Sequence, residues 1–459
     1  MRTTHIRRGI AAAAAFGAVV LSACHDSTSS SNSQGMDKIQ HVVVIYMENH
    51  SFDNLYGSFP GANGIAAAPA ANTIQKDGTN TAYATLPMVG GSPFPNNLPN
   101  APFALESYVP NTMELPDLVH RFFQEQVQID SGKMDKFAYI SDAEGESMGY
   151  YNTSDLPLAA LAEQYTVCDN FFHSAFGGSF LNHQWLIAAQ SPTYATAAND
   201  TGQAGTKLKP TFVTAGVVTD GQITKDLYLV NTVYSVNAPA LNFGYSRPLI
   251  PNLTNSNIGD ELTAKSVTWA WYAGGWDNAL AGNADVNFQF HHQPFVYYAN
   301  YADGTANKTK YLLDETKFIT AAQNGTMPSV SFIKPIGEEN EHPGYADIVA
   351  GENHVIQLIN AIQSGPEWNS TAIIITYDEN GGFWDHVAPP AIDRWGPGTR
   401  VPAIIVSPYA KKGFVDHTQY ETVSILAFIE KRFGVAALGT RDAAAADLEN
   451  AFDFTQKVP

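Results

Sequence analysis

The chain has 459 residues, of which 44% are hydrophobic and 12% aromatic, a composition too rich in core-forming side chains for a disordered protein. Its formal net charge of −19 at pH 7 argues against nucleic-acid binding, because a chain without a basic patch would repel a phosphate backbone. We therefore expect an acidic globular protein with a large core and no nucleic-acid partner.

The first 23 residues have the pattern of an export signal. Three arginines precede an apolar stretch, residues 10–20, that is too short to span a membrane comfortably. The stretch runs into Leu21–Cys24, which resembles the lipobox of bacterial lipoproteins. The resemblance implies cleavage before Cys24 and acylation of its sulfur. The alternative is an ordinary secretory signal that is cut near Ala23.

These features predict a lipoprotein signal peptide over 1–23, a Ser-rich tether over 24–36 and one folded domain over 37–459. An acylated Cys24 leaves Cys168 without a disulfide partner. The sequence after the signal has no apolar stretch of about 18 or more residues, the length that would span a membrane, so the predicted membrane contact is the lipid anchor. We expect the protein in the cell envelope, lipid-anchored and facing the periplasm or secreted.

Two predicted strands place acidic and amide side chains where each strand ends. A β-branched apolar run in His41–Asp53 ends at Glu48 and Asn49, and a similar run in Ala372–His386 ends at Asp378 and Glu379. In open α/β sheets, ligands bind beyond the carboxyl ends of such strands, so these oxygen donors are candidate ligands of a metal ion. The alternative is that each acidic residue caps a helix or starts a turn.

Strands alternate with helices along the chain, which favours an α/β sandwich around a largely parallel sheet. Residues near 191–242 are polar and rich in threonine and glycine, and they predict an inserted smaller β-rich lobe. The other predicted elements are a long loop over 60–110, helices over 155–165, 351–364 and 424–433, and a strand over 401–407.

A candidate nucleophile lies between the two acidic segments. Residues 176–189 predict a glycine turn, then Ser179, then a helix. A serine at a helix N-terminus faces free backbone N–H groups and the positive end of the helix dipole, which would stabilise an alkoxide and hold a phosphate. The alternative is that Ser179 only caps the helix.

Four motifs, at 46–53, 132–137, 177–183 and 376–386, occur in one order that resembles a known family. It is the phosphoesterase family that joins bacterial respiratory-burst-inhibiting acid phosphatases to phosphatidylcholine-type phospholipases C. The resemblance runs from about Ile39 to Arg441 and implies an alkaline-phosphatase-like fold. It favours the acid phosphatases, because the family's phospholipases usually have threonine at the position of Ser179 and continue into C-terminal β-modules.

The resemblance also implies roles for individual residues. Ser179 would be both nucleophile and metal ligand, and one divalent ion of open identity would be held. His291 is less certain than His292, because only one of two adjacent residues on an extended segment points inward. A lone histidine elsewhere is more often structural, and His183, His386 and His417 are interpreted so. The implied metal ligands are Glu48, Asn49, Ser179, Asp378 and Glu379, and the implied catalytic residues are Ser179, His120, His291, His292 and His342.

These roles predict a metal-dependent acid phosphatase that hydrolyses phosphate monoesters through a phosphoserine intermediate. Protonated histidines would offset the phosphoryl charge, and His342 would protonate the leaving alcohol at mildly acidic pH. The first alternative is a phospholipase C-type phosphodiesterase that acts on phospholipid head groups. A second is a non-catalytic, anchored solute-binding lipoprotein, which would have two similar lobes and a hinge.

Overall fold

The computed structural model describes residues 35–194, 208–243 and 249–458. The predicted signal peptide, Cys24 and nearly all of the tether lie outside these ranges. Within the described part, no helix has both the length and the apolar character needed to cross a bilayer.

The core of the described residues is an eight-stranded sheet with the order β11-β10-β12-β1-β13-β14-β4-β15. All neighbouring strands in it are parallel except β14, which is antiparallel to both β13 and β4. Its strands are β1 (His41–Met47), β4 (Thr166–Cys168), β10 (Trp269–Ala273), β11 (Leu312–Asp314), β12 (Val330–Lys334), β13 (Thr371–Tyr377), β14 (Ala403–Val406) and β15 (Phe414–Asp416). The predicted α/β architecture with a largely parallel sheet is therefore confirmed.

The helices and minor strands connect and cover this sheet. The helices are α1 (Phe52–Tyr56), α2 (Ala70–Thr73), α3 (Phe122–Ile129), α4 (Phe137–Ile140), α5 (Ala159–Ala162), α6 (Ser179–Ala188), α7 (Ile258–Ala264), α8 (Trp276–Leu280), α9 (Ala306–Tyr311), α10 (Glu315–Asn324), α11 (Ile348–Gln363) and α12 (Thr422–Phe433). The minor strands are β2 (Phe103–Ala104), β3 (Gly149–Tyr150), β5 (Phe171–Phe172), β6 (Phe212–Thr214), β7 (Val217–Thr219), β8 (Tyr234–Ser235), β9 (Leu249–Ile250) and β16 (Tyr420–Glu421).

The central pair of strands positions the acidic segments. β1 and β13 run parallel from the pair His41–Thr371 to the pair Met47–Tyr377, and the Asp378 N–H donates to the Met47 carbonyl at 3.1 Å. Every residue of β13 is buried, as expected for a strand covered on both faces. Because the two strands end side by side, the side chains that follow them meet at one edge of the sheet.

Most predicted elements agree with the structure. The predicted helices over 351–364 and 424–433 correspond to α11 and α12, and the strand over 401–407 corresponds to β14. The predicted helix over 155–165 is wrong in length, because the structure has only a 3-10 turn at Thr153–Asp155 and the short helix α5. The reason lies at Pro157, since the residue before a proline prefers extended backbone and Leu156 has ψ 139°.

The predicted lobe near 191–242 falls partly on residues 195–207, which lie outside the described part. The described part contains an antiparallel hairpin in which β6 pairs with β7. β8, which lies inside the predicted range, pairs in parallel with β9, which lies beyond its end.

Candidate active site

Four buried oxygen donors meet where β1 and β13 end. Glu48 and Asn49 follow β1, Asp378 and Glu379 follow β13, and all four side chains have no solvent exposure. Glu379 is held in part by the Gly381 N–H, which donates to its Oε2 at 2.6 Å. The structure therefore brings together the predicted ligands that the two acidic segments supply.

The orientation of Asn49 tests whether this group fits a cation. Its amide oxygen lies 3.0 Å from Glu379 Oε1, 3.0 Å from Asp378 Oδ1 and 3.3 Å from Glu48 Oε2. Four acceptor oxygens at this spacing repel one another unless the amide is turned, so that its nitrogen donates to the carboxylates, or a cation lies among them. Hard oxygen donors of this kind suit a divalent ion such as Mg²⁺, Ca²⁺ or Mn²⁺. The donor set fits the metal that the sequence predicts.

Ser179 faces the same carboxylates. Its Oγ lies 3.4 Å from Glu379 Oε1 and 3.5 Å from Glu48 Oε2. The N-cap of α6 is Gly178, and Ser179 is the first residue of the helix, so the alternative that Ser179 is the cap is wrong. The turn before it requires glycine, because Gly177 has φ +84° and a Cβ there would lie 2.3 Å from the Phe122 nitrogen.

Two histidines direct their Nε2 atoms into the site. His120 Nδ1 donates to the Leu118 carbonyl at 2.5 Å, and His342 Nδ1 donates to the Pro343 carbonyl at 2.6 Å. These bonds fix the tautomer when each ring is neutral. His120 Nε2 then lies 3.5 Å from Glu379 Oε1, and His342 Nε2 lies 3.6 Å from Glu48 Oε2.

The adjacent pair His291 and His292 enters the site together. The expectation that only one of them points inward is wrong, because Phe290–His292 forms a 3-10 turn and not an extended segment. Both rings are buried and line the same cavity, and His292 Nε2 lies 2.5 Å from Glu48 Oε1. A 3-10 turn advances the side-chain direction by about 120° per residue, since it has 3.0 residues per turn.

A cavity of about 320 Å³ opens over Ser179. Its walls are mainly polar and contain all four predicted catalytic histidines. The lining residues are Asp117, Leu118, Val119, His120, Arg121, Asp142, Gly178, Ser179, Asn231, Thr232, Gln289, His291, His292, His342 and Tyr345. A substrate in this cavity would meet the nucleophile candidate at the N-terminus of α6.

Lys334 is a site residue that the sequence analysis missed. It is the last residue of β12, the parallel neighbour of β1, and its side chain is fully buried. Its Nζ lies 2.7 Å from Glu48 Oε1 and 3.8 Å from Asp378 Oδ2. The available signal was a lysine at the end of the otherwise buried run Val330–Ile333.

The three histidines interpreted as structural have protein partners of their own. His183 donates from Nδ1 to the Ser179 carbonyl at 2.7 Å, and its ring stacks on His292 with centroids 5.2 Å apart. His417 is an exposed partner of Asp169 at 2.8 Å, and His386 lies 2.6 Å from Asp53 Oδ2.

A buried guanidinium links the two acidic segments through residues that follow the predicted ligands in the sequence. Arg400 Nε donates to Asp385 Oδ1 at 2.9 Å, and one Nη donates to Asp53 Oδ1 at 3.2 Å. Asp53 and Asp385 also form a compact group with His386 that could hold a metal by spacing alone. Because Arg400 already supplies the positive charge there, this second group is an ion-pair network.

Burial and mutual repulsion disturb the ionisation of the cluster. Burial raises the pKa of Asp378 to about 7, with Glu48 adding to the rise, and burial together with Asp378 raises the pKa of Glu379 well above its ordinary value. Burial acts on Glu48 in the same direction, but His292 and Lys334 together hold its pKa well below the ordinary value. Such crowding favours binding of a cation, which relieves the repulsion among the three carboxylates.

Burial has the opposite effect on the histidines. It lowers the pKa of His342 below the ordinary histidine value and that of His292 to about 4. It also lowers the pKa of His291 well below that value. Protonated donors at these positions therefore require a pH below the ordinary pKa of histidine.

Comparison with known proteins finds relatives that are named as phospholipases C. The chain is 26% identical over 457 residues to the non-hemolytic phospholipase C of Pseudomonas aeruginosa, covering 91% of this chain and 57% of that protein. It is also 26% identical to phospholipase C A of Mycobacterium tuberculosis, covering 91% of this chain and 77% of that protein. The chain thus spans little more than half the length of the Pseudomonas relative.

Similar solved structures include a protein in the alkaline phosphatase superfamily from Vibrio parahaemolyticus, with a TM-score of 0.36 and 9% identity over 69% of this chain and 66% of that one. A sulfatase from Pseudoalteromonas has a TM-score of 0.40 and 9% identity over 94% of this chain and 76% of that one. Both TM-scores lie below 0.5, so these likenesses carry no argument about activity. The family model of the Phosphoesterase family matches residues 39–436, and the chain belongs to that family.

Proposed function

We propose that the protein is a metal-dependent phosphoric ester hydrolase in which Ser179 is the nucleophile. The observation that carries the proposal is the position of Ser179 Oγ, 3.4 and 3.5 Å from two buried carboxylates at the base of a histidine-lined cavity. The single large sheet of the described residues also differs from the two similar lobes of the solute-binding alternative.

The metal would be held by Glu48, Asn49, Ser179, Asp378 and Glu379. When bound, it would act as a Lewis acid that lowers the pKa of the serine hydroxyl and offsets negative charge on the phosphoryl oxygens.

Ser179 is placed for attack on phosphorus. Its Oγ lies 3.4 Å from Glu379 Oε1 and 3.5 Å from Glu48 Oε2, and the residue also lines the cavity that would hold the substrate. Attack in line with the leaving oxygen forms a phosphoserine and releases the alcohol, and water then hydrolyses the phosphoserine. The positive end of the α6 dipole stabilises negative charge on the phosphoryl group during both steps.

The histidines would bind the phosphoryl group and protonate the leaving oxygen. His120 and His342 direct Nε2 toward the cavity, and in protonated form each donates to a phosphoryl oxygen or to the leaving oxygen. We assign the leaving-group proton to His342, as the sequence analysis did. His291 and His292 line the same cavity and would contact the phosphoryl oxygens from another segment.

The first candidate substrates are phosphate monoesters, which makes the protein an acid phosphatase. The polar wall of the cavity supports this choice, because it offers few apolar side chains for a lipid tail. The second candidate is a phospholipase C-type phosphodiesterase, which is supported by the names of the relatives.

The test is a comparison of two substrates on the purified protein, a nitrophenyl phosphate monoester and a nitrophenyl phosphocholine diester. Faster turnover of the monoester, lost on chelation and restored by a divalent ion, is the expected result. Faster turnover of the diester would select the phospholipase C candidate. Turnover of neither substrate, with any divalent ion, would contradict the proposal.

We also propose that the mature chain is anchored by an acylated Cys24 and faces the periplasm or is held at the outer surface of the cell envelope. The proposal is supported by the lipobox-like sequence Leu21–Cys24 and the polar residues that follow it. An extracytoplasmic phosphatase would meet small phosphate esters before their uptake.

A further inference from the structure

Lys334 occupies the side of the carboxylate cluster opposite Asn49. Its Nζ lies 2.7 Å from Glu48 Oε1 and 3.8 Å from Asp378 Oδ2, and it donates to the Met47 carbonyl at 3.2 Å. The ammonium also lies 5.2 Å from the centre of the Tyr46 ring. An ammonium buried with no solvent exposure is costly unless its partners are carboxylates, as they are here.

Glu48 and Asp378 each divide their two oxygens between two places. Glu48 Oε2 and Asp378 Oδ1 face the Asn49 amide, where the predicted metal ligands converge. Glu48 Oε1 and Asp378 Oδ2 face Lys334. The two carboxylates are therefore arranged as bridges between two neighbouring cation positions.

The second position has the donors of a metal site. Glu48 and Asp378 each offer a carboxylate oxygen there, and together with His183 they form a buried group whose ligand atoms all lie within 4.8 Å of one another. His183 Nδ1 lies 3.7 Å from Asp378 Oδ2 but already donates to the Ser179 carbonyl, so a second ion would compete with that hydrogen bond. His292 adds a ring nitrogen 2.5 Å from Glu48 Oε1. Carboxylates with imidazoles are a donor set that Zn²⁺ and Mn²⁺ accept.

We propose that the Lys334 ammonium is a built-in cation that occupies the position a second metal ion would otherwise take beside the predicted divalent ion. The proposal rests on the metal site of the proposed function. Charge balance supports it, because the three negative charges of the ionised carboxylates equal the positive charge of one divalent ion and one ammonium together. Two divalent ions beside the ammonium would leave an uncompensated positive charge in a buried cluster. The lysine is fixed to β12, so it cannot leave when metal is scarce.

The test is the number of metal ions per chain in the full protein, measured by elemental analysis after equilibration with excess Zn²⁺ or Mn²⁺ and removal of unbound metal. Wild type should hold one ion. Lys334→Ala removes the ammonium and opens its space, so it should hold two. The control is Lys308→Met, which removes another mostly buried lysine, one that pairs with Asp303 on a different part of the fold and should leave one ion bound.

A second readout is thermal stability. Without metal, Lys334→Ala leaves Glu48 and Asp378 without their ammonium partner, so its melting temperature should fall below that of wild type. Added Zn²⁺ should raise the melting temperature of Lys334→Ala more than it raises that of wild type or Lys308→Met.

The outcomes separate this inference from the proposed function. One ion in both wild type and Lys334→Ala would overturn the inference and leave the proposed metal site standing. Two ions in wild type would also overturn it. No ion in wild type would overturn both. A Lys334→Ala chain that does not fold even with excess metal also counts against the inference, because the second ion should replace the lost charge.

Discussion

Replacing Ser179 by alanine should remove activity while leaving the fold nearly intact. The Oγ contacts to Glu379 and Glu48 are 3.4 and 3.5 Å, longer than the roughly 2.7–2.8 Å of a good O–H···O bond. Because Gly178 is the helix cap, no cap is lost. We expect the free energy of unfolding to change by less than about 1 kcal/mol. The loss of the nucleophile should lower kcat/KM at least ~1000-fold, equivalent to about 4 kcal/mol of barrier.

The matched control is Ser174→Ala, five residues before Ser179. Ser174 Oγ donates to Glu421 Oε2 at 2.8 Å and accepts from the Val423 N–H at 3.0 Å, so its removal breaks two well-formed buried hydrogen bonds. We expect Ser174→Ala to lose about 1–3 kcal/mol of stability and to keep its activity in the folded fraction. The two variants should therefore show opposite patterns in thermal melts and in monoester hydrolysis.

A Ser179→Ala variant that keeps more than about one-hundredth of wild-type kcat/KM, which is less than about 3 kcal/mol of barrier, would refute the assignment. The wild type gives an independent check, since acid quenching with a labelled monoester should leave phosphate on the peptide that contains Ser179. Displacement by serine and then by water inverts phosphorus twice, so a chiral donor should transfer with net retention. Net inversion would mean direct attack by water, with Ser179 reduced to a ligand.

Three further predictions concern the ligands, the buried acids and the anchor. Asp378→Asn should lose most bound metal and activity in elemental analysis and monoester assays while its circular dichroism stays unchanged, and normal metal content would contradict its role as a ligand. Burial raises the pKa of Glu352 to about 8 in the folded state, whereas the unfolded chain has the ordinary value of ~4.3. Between these two values the folded state binds the proton more tightly, so the free energy of unfolding should fall as the pH rises, by up to about 1.4 kcal/mol per pH unit. Glu352→Gln should flatten the loss of stability between pH 5 and 8 in denaturant titrations, and an unchanged slope would count against this origin. Cys24→Ser should move the protein out of the membrane fraction, whereas unchanged membrane association would argue against acylation.

The meeting of the oxygen donors at the strand ends was predictable because the pattern that forms each strand also fixes where it ends. The run Val42–Ile45 has no polar interruption, which marks a strand covered on both faces, and its parallel partner β13 has the same character. Parallel strands in one sheet end at a common edge, so Glu48 and Asp378 could be brought together without knowing the strand order.

Lys334 could not be found in this way. Its relation to Glu48 depends on β12 being the other neighbour of β1, although the two strands lie almost 300 residues apart in the chain. A lysine at the end of a strand usually reaches solvent, and local sequence does not distinguish that case from a fully buried ammonium. His291 was misjudged for a related reason, because the 3-10 turn at Phe290–His292 has no strong local signal.

Arg400 binds a second carboxylate in each acidic segment, beyond the proposed metal ligands. Asp53 lies five residues after Glu48, and Asp385 lies seven residues after Asp378, so each loop leaves the sheet edge and presents a second carboxylate. Arg400 binds both, and its other Nη donates to the Asp169 and Asn63 carbonyls at 2.7 and 2.9 Å. A buried guanidinium with all these partners locks one loop against the other. The proposed ligands are therefore held at their spacing by protein contacts as well as by any ion they bind, which is the preorganisation that the proposed catalysis would require.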